Sequence, residues 1–141
     1  MSETIRVLLI DDEKIFVESL TKVLKKRGME VRAAYDGPSG LQFLLANEMD
    51  VIVLDLRMPG MDGLAVLKEI RIRDPLTPVI LLTGHIDIDR VTQAMNTGAA
   101  EILLKPCPIE TLVSSIENAC ELKAISREVG DKQQGEKRVR K

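Results

Sequence analysis

The sequence predicts an α/β fold: a doubly wound parallel sheet with helices on both faces. Three observations predict it. Short, continuous apolar runs recur along the chain, and such runs read as strands buried on both faces of a sheet. They alternate five times with stretches of helical periodicity, the βαβ pattern that lays helices over a parallel sheet. Four of the runs end on chemistry-bearing residues. Asp11-Asp12 follow 5–10, Asp55 closes 51–54, Thr83 follows 78–82 and Lys105 follows 102–104. In an open parallel sheet the strands end at one edge, and ligands bind there. Three carboxylates, a hydroxyl and an ammonium are therefore expected to share one crevice.

The elements follow in order. A first strand is expected over about 5–10 and a helix over 13–27, with Phe16, Leu20, Val23 and Leu24 on one face at helical spacing. Gly28 sits where a C-terminal cap belongs. A second strand covers about 30–34. Asp36-Gly37-Pro38 reads as a helix start, with a capping Asp and Pro in the first turn, and Leu41, Leu44 and Leu45 give that helix its apolar stripe. The third strand is 51–54. Residues 58–63, Met-Pro-Gly-Met-Asp-Gly, form a turn-rich loop. A third helix covers 64–73 with Leu64, Leu67 and Ile70 inward, and a fourth strand covers 78–82. The fourth helix carries Ile88, Val91 and Met95 and ends at Gly98; the fifth strand is 101–104. The last helix opens at Pro108 and runs through Ile109, Leu112, Val113, Ile116 and Cys120.

Residues 1–123 make one domain in this reading. From 124 to 141 the apolar periodicity fades, and the stretch reads as a polar, partly basic tail, either disordered or a linker to an output domain. The length of 141 residues suits one domain with a sizeable core, and 45% hydrophobic residues argue for a packed fold. With 2% aromatics the core must be built from aliphatic side chains and Met. A net charge of −2 gives no general pull toward nucleic acid or membrane, so neither is expected as a direct partner. No apolar run reaches the roughly 18 residues of a membrane span, and no signal-peptide core is present, so a cytoplasmic location is expected. Cys107 and Cys120 are expected to stay reduced, and with His85 the sole histidine a zinc site is not expected.

The chemistry of the expected crevice is that of a divalent cation and a phosphoryl group. Two acids 4 Å apart repel by about 4 kcal/mol near a protein surface. Three acids need counter-charge, which Lys105 and an oxygen-seeking cation such as Mg²⁺ can supply. Asp55 is the best nucleophile, since a carboxylate can attack phosphorus to give an acyl phosphate. A cation, the Lys105 ammonium and the Thr83 hydroxyl suit the neutralisation of phosphoryl oxygens. Singly, Asp55 could be a turn cap, Lys105 a surface lysine before proline and Thr83 a helix cap. The joint pattern argues against those readings.

At these residues the chain resembles the receiver domain of bacterial two-component response regulators. The matching stretches are 9–13 (Leu-Ile-Asp-Asp-Glu), 53–63 (Val-Leu-Asp-Leu-Arg-Met-Pro-Gly-Met-Asp-Gly), 81–84 (Leu-Leu-Thr-Gly) and 98–106 (Gly-Ala-Ala-Glu-Ile-Leu-Leu-Lys-Pro). The resemblance covers about residues 4–123. It implies a five-stranded flavodoxin-like sheet in the order 2-1-3-4-5. It implies that Asp55 accepts a phosphoryl group from a phosphohistidine on a sensor kinase or phosphotransfer protein. Asp12 and Asp55 would ligate Mg²⁺ with the Arg57 backbone carbonyl, and Asp11 would act mainly through water. Lys105 would pair with the phosphate, and the bond to Pro106 would be cis. Thr83 would move toward the phosphate and shift the face made by helix 4, strand 5 and helix 5. That face would serve an output domain, a downstream target or a phosphorylation-dependent homodimer. Arg57 and His85, each two residues past a key position, would tune the phosphate lifetime.

Two departures from the family pattern stand out. Ile102 occupies a position where the family commonly has Tyr or Phe, which puts the usual ring-based switch in doubt. Cys107 stands where Phe is common, and reads as a small buried side chain. The leading expectation is a signalling switch whose chemistry acts on itself rather than a turnover enzyme, either standing alone or as part of a longer regulator. One alternative is a receiver-like binding module that no longer switches by phosphorylation, which Ile102 keeps open. Another is an Mg²⁺-dependent aspartyl-phosphate phosphatase of the haloacid dehalogenase type. Such enzymes place a second Asp two residues past the nucleophile, where this chain has Arg57.

Overall fold

A computed structural model describes residues 4–58, 60, 62–84 and 87–139, with side chains to 125. Strands and helices alternate strictly. They run β1 (Arg6–Ile10), α1 (Lys14–Lys26), β2 (Glu30–Ala34), α2 (Gly37–Ala46), β3 (Val51–Leu54), α3 (Gly63–Arg73), β4 (Val79–Thr83), α4 (Ile88–Thr97), β5 (Glu101–Leu104) and α5 (Ile109–Val139). The five strands form one parallel sheet in the order β2-β1-β3-β4-β5.

Side chains alternate across a strand, so an all-apolar strand must be covered twice. Leu8, Ile10, Ile52, Leu54, Val79 and Leu81 point into a core closed by α2, α3 and α4 residues such as Leu41, Leu67, Ile70 and Ala94. Val7, Leu9, Val51, Val53, Ile80 and Leu82 point into a second core closed by Val17 and Leu24 of α1 and Leu112 and Ile116 of α5. Burial on both faces holds for β1, β3 and β4 but not for β5, whose residues are exposed or half-covered. The run 102–104 reads as fully buried in sequence, yet β5 is an edge strand with a neighbour on one side only.

Local signals account for the helix ends. Asp36 accepts the Ser39 N–H at 2.7 Å and Pro38 lies in the first turn of α2. Asp62 caps α3 through the Leu64 N–H, and Asp87 caps α4 through the Asp89 N–H. Gly98 ends α4 in the left-handed region at φ 111°, a conformation that glycine adopts without steric cost.

The apolar stripes need three corrections. Val23 of α1 is partly exposed while Val17 is buried, so that inward face is rotated. Leu45 of α2 is exposed, and Phe43 and Leu44 pack against the core instead. Ile88 and Met95 of α4 are also exposed, and the small Ala94 makes the buried contact. The covered face of α4 is the one that carries Ala94, which leaves its larger apolar side chains outside the contact.

The tail also needs correction. The backbone stays helical to Val139, through the stretch read as a tail from 124. Loss of apolar periodicity does not mark the end of the helix. The stretch lacks proline and is rich in Lys, Glu, Gln and Arg, all good helix formers. The packed part of α5 is fastened far from its start by Lys123, a buried lysine. Its Nζ donates to the Met49 carbonyl at 3.0 Å and to Thr77 Oγ1 at 2.9 Å. Thr77 in turn bonds to Asp74.

Gly63 opens α3 directly against the end of β3. A Cβ there would stand 2.5 Å from both the Asp55 carbonyl oxygen and the Leu56 Cα, which are backbone atoms that cannot rotate away. Gly63→Ala is therefore expected to destabilise the domain by about 1–3 kcal/mol, read as a lower urea midpoint at unchanged slope.

Candidate functional site

Strand register brings the polar residues together. Ile10 pairs with Leu54, Leu54 with Leu81, and Thr83 with Leu104, so the residues ending β1, β3, β4 and β5 share one edge. The hydrogen-bond ladder runs one step further into the site. The Asp11 N–H donates to Ala34 O at 3.1 Å, Asp55 N–H to Ile10 O at 3.0 Å and Lys105 N–H to Thr83 O at 2.9 Å. Each of these three side chains thus leaves from backbone that the sheet itself holds.

Asp11 and Asp55 are buried and Asp12 is half-buried, and their carboxylate oxygens lie within 4.8 Å of one another. Lys105 crosses from β5 into this cluster. Its Nζ stands 2.7 Å from Asp11 Oδ2, 3.2 Å from Glu13 Oε1 and 3.6 Å from Asp55 Oδ2. The same ammonium sits over the Phe16 ring, 4.4 Å from its centroid. Backbone amides orient two of the acids: Glu13 N–H donates to Asp11 Oδ1 at 3.0 Å, and Arg57 N–H to Asp55 Oδ1 at 3.2 Å.

Electrostatics match the geometry. Burial pushes the Asp11 carboxyl up, and the bond from Lys105 only partly offsets it. Burial pulls the Lys105 ammonium down, but Asp11, Asp55 and Glu13 outweigh it and the net direction is up. Four acids face one ammonium, so the crevice is net negative and suited to a cation. Hard carboxylate oxygens on a rigid edge are the donors that a divalent ion such as Mg²⁺ takes.

Thr83 is fully buried at the end of β4. Ile102 lies beside Leu81 in register and packs, half-buried, against the core under α4. The Lys105–Pro106 peptide bond is cis. Arg57 is exposed on the loop after β3. His85 lies outside the described residues, as do Pro59 and Met61 of that loop.

Three contributors escaped sequence reasoning. Glu13 stands two residues past Asp11 but joins the site only because Lys105 reaches it. Phe16 reads as a core residue of α1, and its ring doubles as a floor for the ammonium. Arg90 ion-pairs with Asp62 across the rim. A recess of about 510 Å³ between α2, β3 and α3, lined by Leu41, Leu45, Met49 and Ile70 among others, contains none of these polar groups.

Comparison with known proteins agrees with this geometry. Residues 7–117 match the family described as response regulator receiver domain. The DNA-binding transcriptional regulator NtrC of Escherichia coli (strain K12) is 38% identical over 113 residues, covering 80% of this chain and 24% of that protein. A response regulator receiver domain from Clostridium thermocellum superposes with a TM-score of 0.81 at 36% identity, over 86% of this chain and 98% of that one. A CheY-like receiver protein from Methanospirillum hungatei JF-1 gives a TM-score of 0.85 at 22% identity, over 88% and 99%, a likeness of fold. The chain spans about a quarter of the length of the curated relatives it matches.

Removing the ammonium tests the charge balance. Lys105→Met would leave Asp11 buried with no cation beside it and is expected to cost about 2–4 kcal/mol at pH 7. Asp11 has a raised folded pKa, so its charge opposes folding above that pKa and ceases to do so as pH falls through it. The deficit relative to wild type should therefore shrink on acidification, as urea unfolding at pH 7 and pH 5 would reveal.

Proposed function

The chain belongs to the response regulator receiver domain family, and on that premise we propose that it is a phosphorylation-controlled signalling switch with Asp55 as the phosphoacceptor. The observation that supports this most is the convergence of Asp55 with Lys105, Asp11 and Asp12 at one sheet edge. Asp11, Asp12, Asp55 and the Arg57 carbonyl would hold Mg²⁺. When bound, Mg²⁺ would supply neutralising charge for the phosphoryl oxygens.

The chain's own residues do the rest. An Asp55 carboxylate oxygen attacks phosphorus while the bond to the histidine nitrogen of the donor breaks, and the imidazole leaves with a proton from solvent. Lys105 loses part of its pairing with Asp55 and turns to the new phosphoryl group. Thr83, two residues past Leu81 on β4, supplies a hydroxyl at the same edge. Its shift toward the phosphoryl group would be transmitted through Ile102 to α4, β5 and α5. The exposed Ile88, Met95 and Leu104 on α4 and β5 offer that face apolar contacts for a target, an output domain or a second copy. Arg57 and His85 would set how readily water reaches the acyl phosphate. The donor would be a sensor histidine kinase or a phosphotransfer protein. In a longer regulator of the kind the relatives represent, 124–141 would lead to the output domain. Among the described residues no helix is long and apolar enough to cross a membrane.

Two measurements test this reading. Intact mass after incubation with Mg²⁺ and acetyl phosphate should show one added phosphoryl group on wild type and none on Asp55→Asn. No addition to wild type, even from phosphorylated kinases, would favour the non-switching binding module. Mg²⁺ should also raise the melting temperature, because it relieves repulsion among the acids. Asp12→Ala should abolish most of that rise, and an unchanged rise would refute the metal site.

A further inference from the structure

The loop between β3 and α3 is pinned at both ends by one side chain from another element. Arg90 lies in the first turn of α4. Its guanidinium ion-pairs with Asp62, and its Nη2 stands 3.4 Å from the Leu56 carbonyl oxygen. Leu56 is the residue after Asp55, and Asp62 is the N-cap of α3. The two ends are also tied to each other and to the helix. The Gly63 N–H donates to the Leu56 carbonyl at 3.0 Å, and the Leu64 N–H donates to Asp62 Oδ1 at 3.0 Å.

Arg57, whose carbonyl is a candidate cation ligand, follows Leu56 directly, between these two ends. An exposed ion pair adds little to global stability. The partners of Arg90 are different in kind, because they are the two hinges of a loop and not a random surface acid. Resting on the reading of the acidic crevice as a cation and phosphoryl site, we propose that Arg90 is a positioning residue. It clamps the β3–α3 loop to α4, so that cation binding at the crevice and the seat of α4 bias each other.

The coupling is reciprocal by thermodynamic necessity. A cation that orders the loop strengthens the hold on α4, and an α4 drawn aside loosens the loop. Guanidinium suits the task because its planar fork can meet a carboxylate and a carbonyl together, which an ammonium on a flexible stem does less well. Among the described residues Arg90 contacts Asp62 and the Leu56 carbonyl and not Asp11, Asp12 or Asp55, so its effect must pass through the loop.

The test uses the whole chain and Mg²⁺ alone as the probe. Wild type, Arg90→Met and Arg90→Lys are titrated with MgCl₂ while the Gly63 and Leu64 amides are followed by NMR. Their hydrogen exchange is measured in EDTA. Arg90→Met is expected to weaken Mg²⁺ binding by roughly two- to fivefold, the range open to one exposed ion pair. Its Gly63 amide should exchange faster by a similar factor while the melting temperature in EDTA stays near wild type. Arg90→Lys should fall between the two. Equal Mg²⁺ affinity in wild type and Arg90→Met overturns the clamp and leaves the proposed function standing. A wild type that does not bind Mg²⁺ overturns both.

Discussion

Holding three carboxylates at one buried edge is a standing electrostatic cost, and the Lys105–Asp11 pair is what makes it bearable. Both side chains are almost wholly withdrawn from water. Coulomb attraction in such a place is stronger than at the surface, but so is the cost of desolvation. The pair therefore stabilises the apo domain less than its 2.7 Å separation suggests. Its role is to offset the repulsion that would push the acids apart. The site stays net negative around one cation, which is the condition under which a metal or a phosphoryl group finds a use there.

That pair depends on the sheet. Asp11, Asp55 and Lys105 each donate their backbone N–H to the last carbonyl of a neighbouring strand. Sliding one strand by a single residue would turn its side chains to the other face and separate the charges. The two aliphatic cores resist such slippage because every apolar residue of β1, β3 and β4 is committed to one core or the other. Packing on both faces thus fixes register, register fixes the backbone of the site, and the backbone sets the charge pattern.

Much of this was legible in the sequence because the signals are local. A β-branched run followed by an acid marks a strand and its functional end together, as at 51–55. Asp36-Gly37-Pro38 and Gly98 mark helix ends by chemistry that acts within a turn. What was not legible arises between elements. Glu13 is 92 residues from Lys105, and Arg90 is 28 from Asp62, so no local pattern joins them. Leu45 has the spacing of a buried stripe, and Ile88 and Met95 lie at helical spacing, yet all three are exposed, because which face of a helix is covered depends on what packs against it. The helix beyond residue 124 is not legible from apolar periodicity, because that stretch has helix propensity without an apolar stripe.

The long α5 gives the domain a lever. Lys123 ties the helix to the Met49 carbonyl and to Thr77, at the end of the sheet away from the acids. Arg27 holds its first turn through Glu110. The sixteen residues from 124 to 139 continue beyond the last of these ties. At 1.5 Å per residue they reach about 24 Å from it. A tilt of about ten degrees about Lys123 would carry the far end through about 4 Å. Small rotations at the base are thereby converted into travel at the tip.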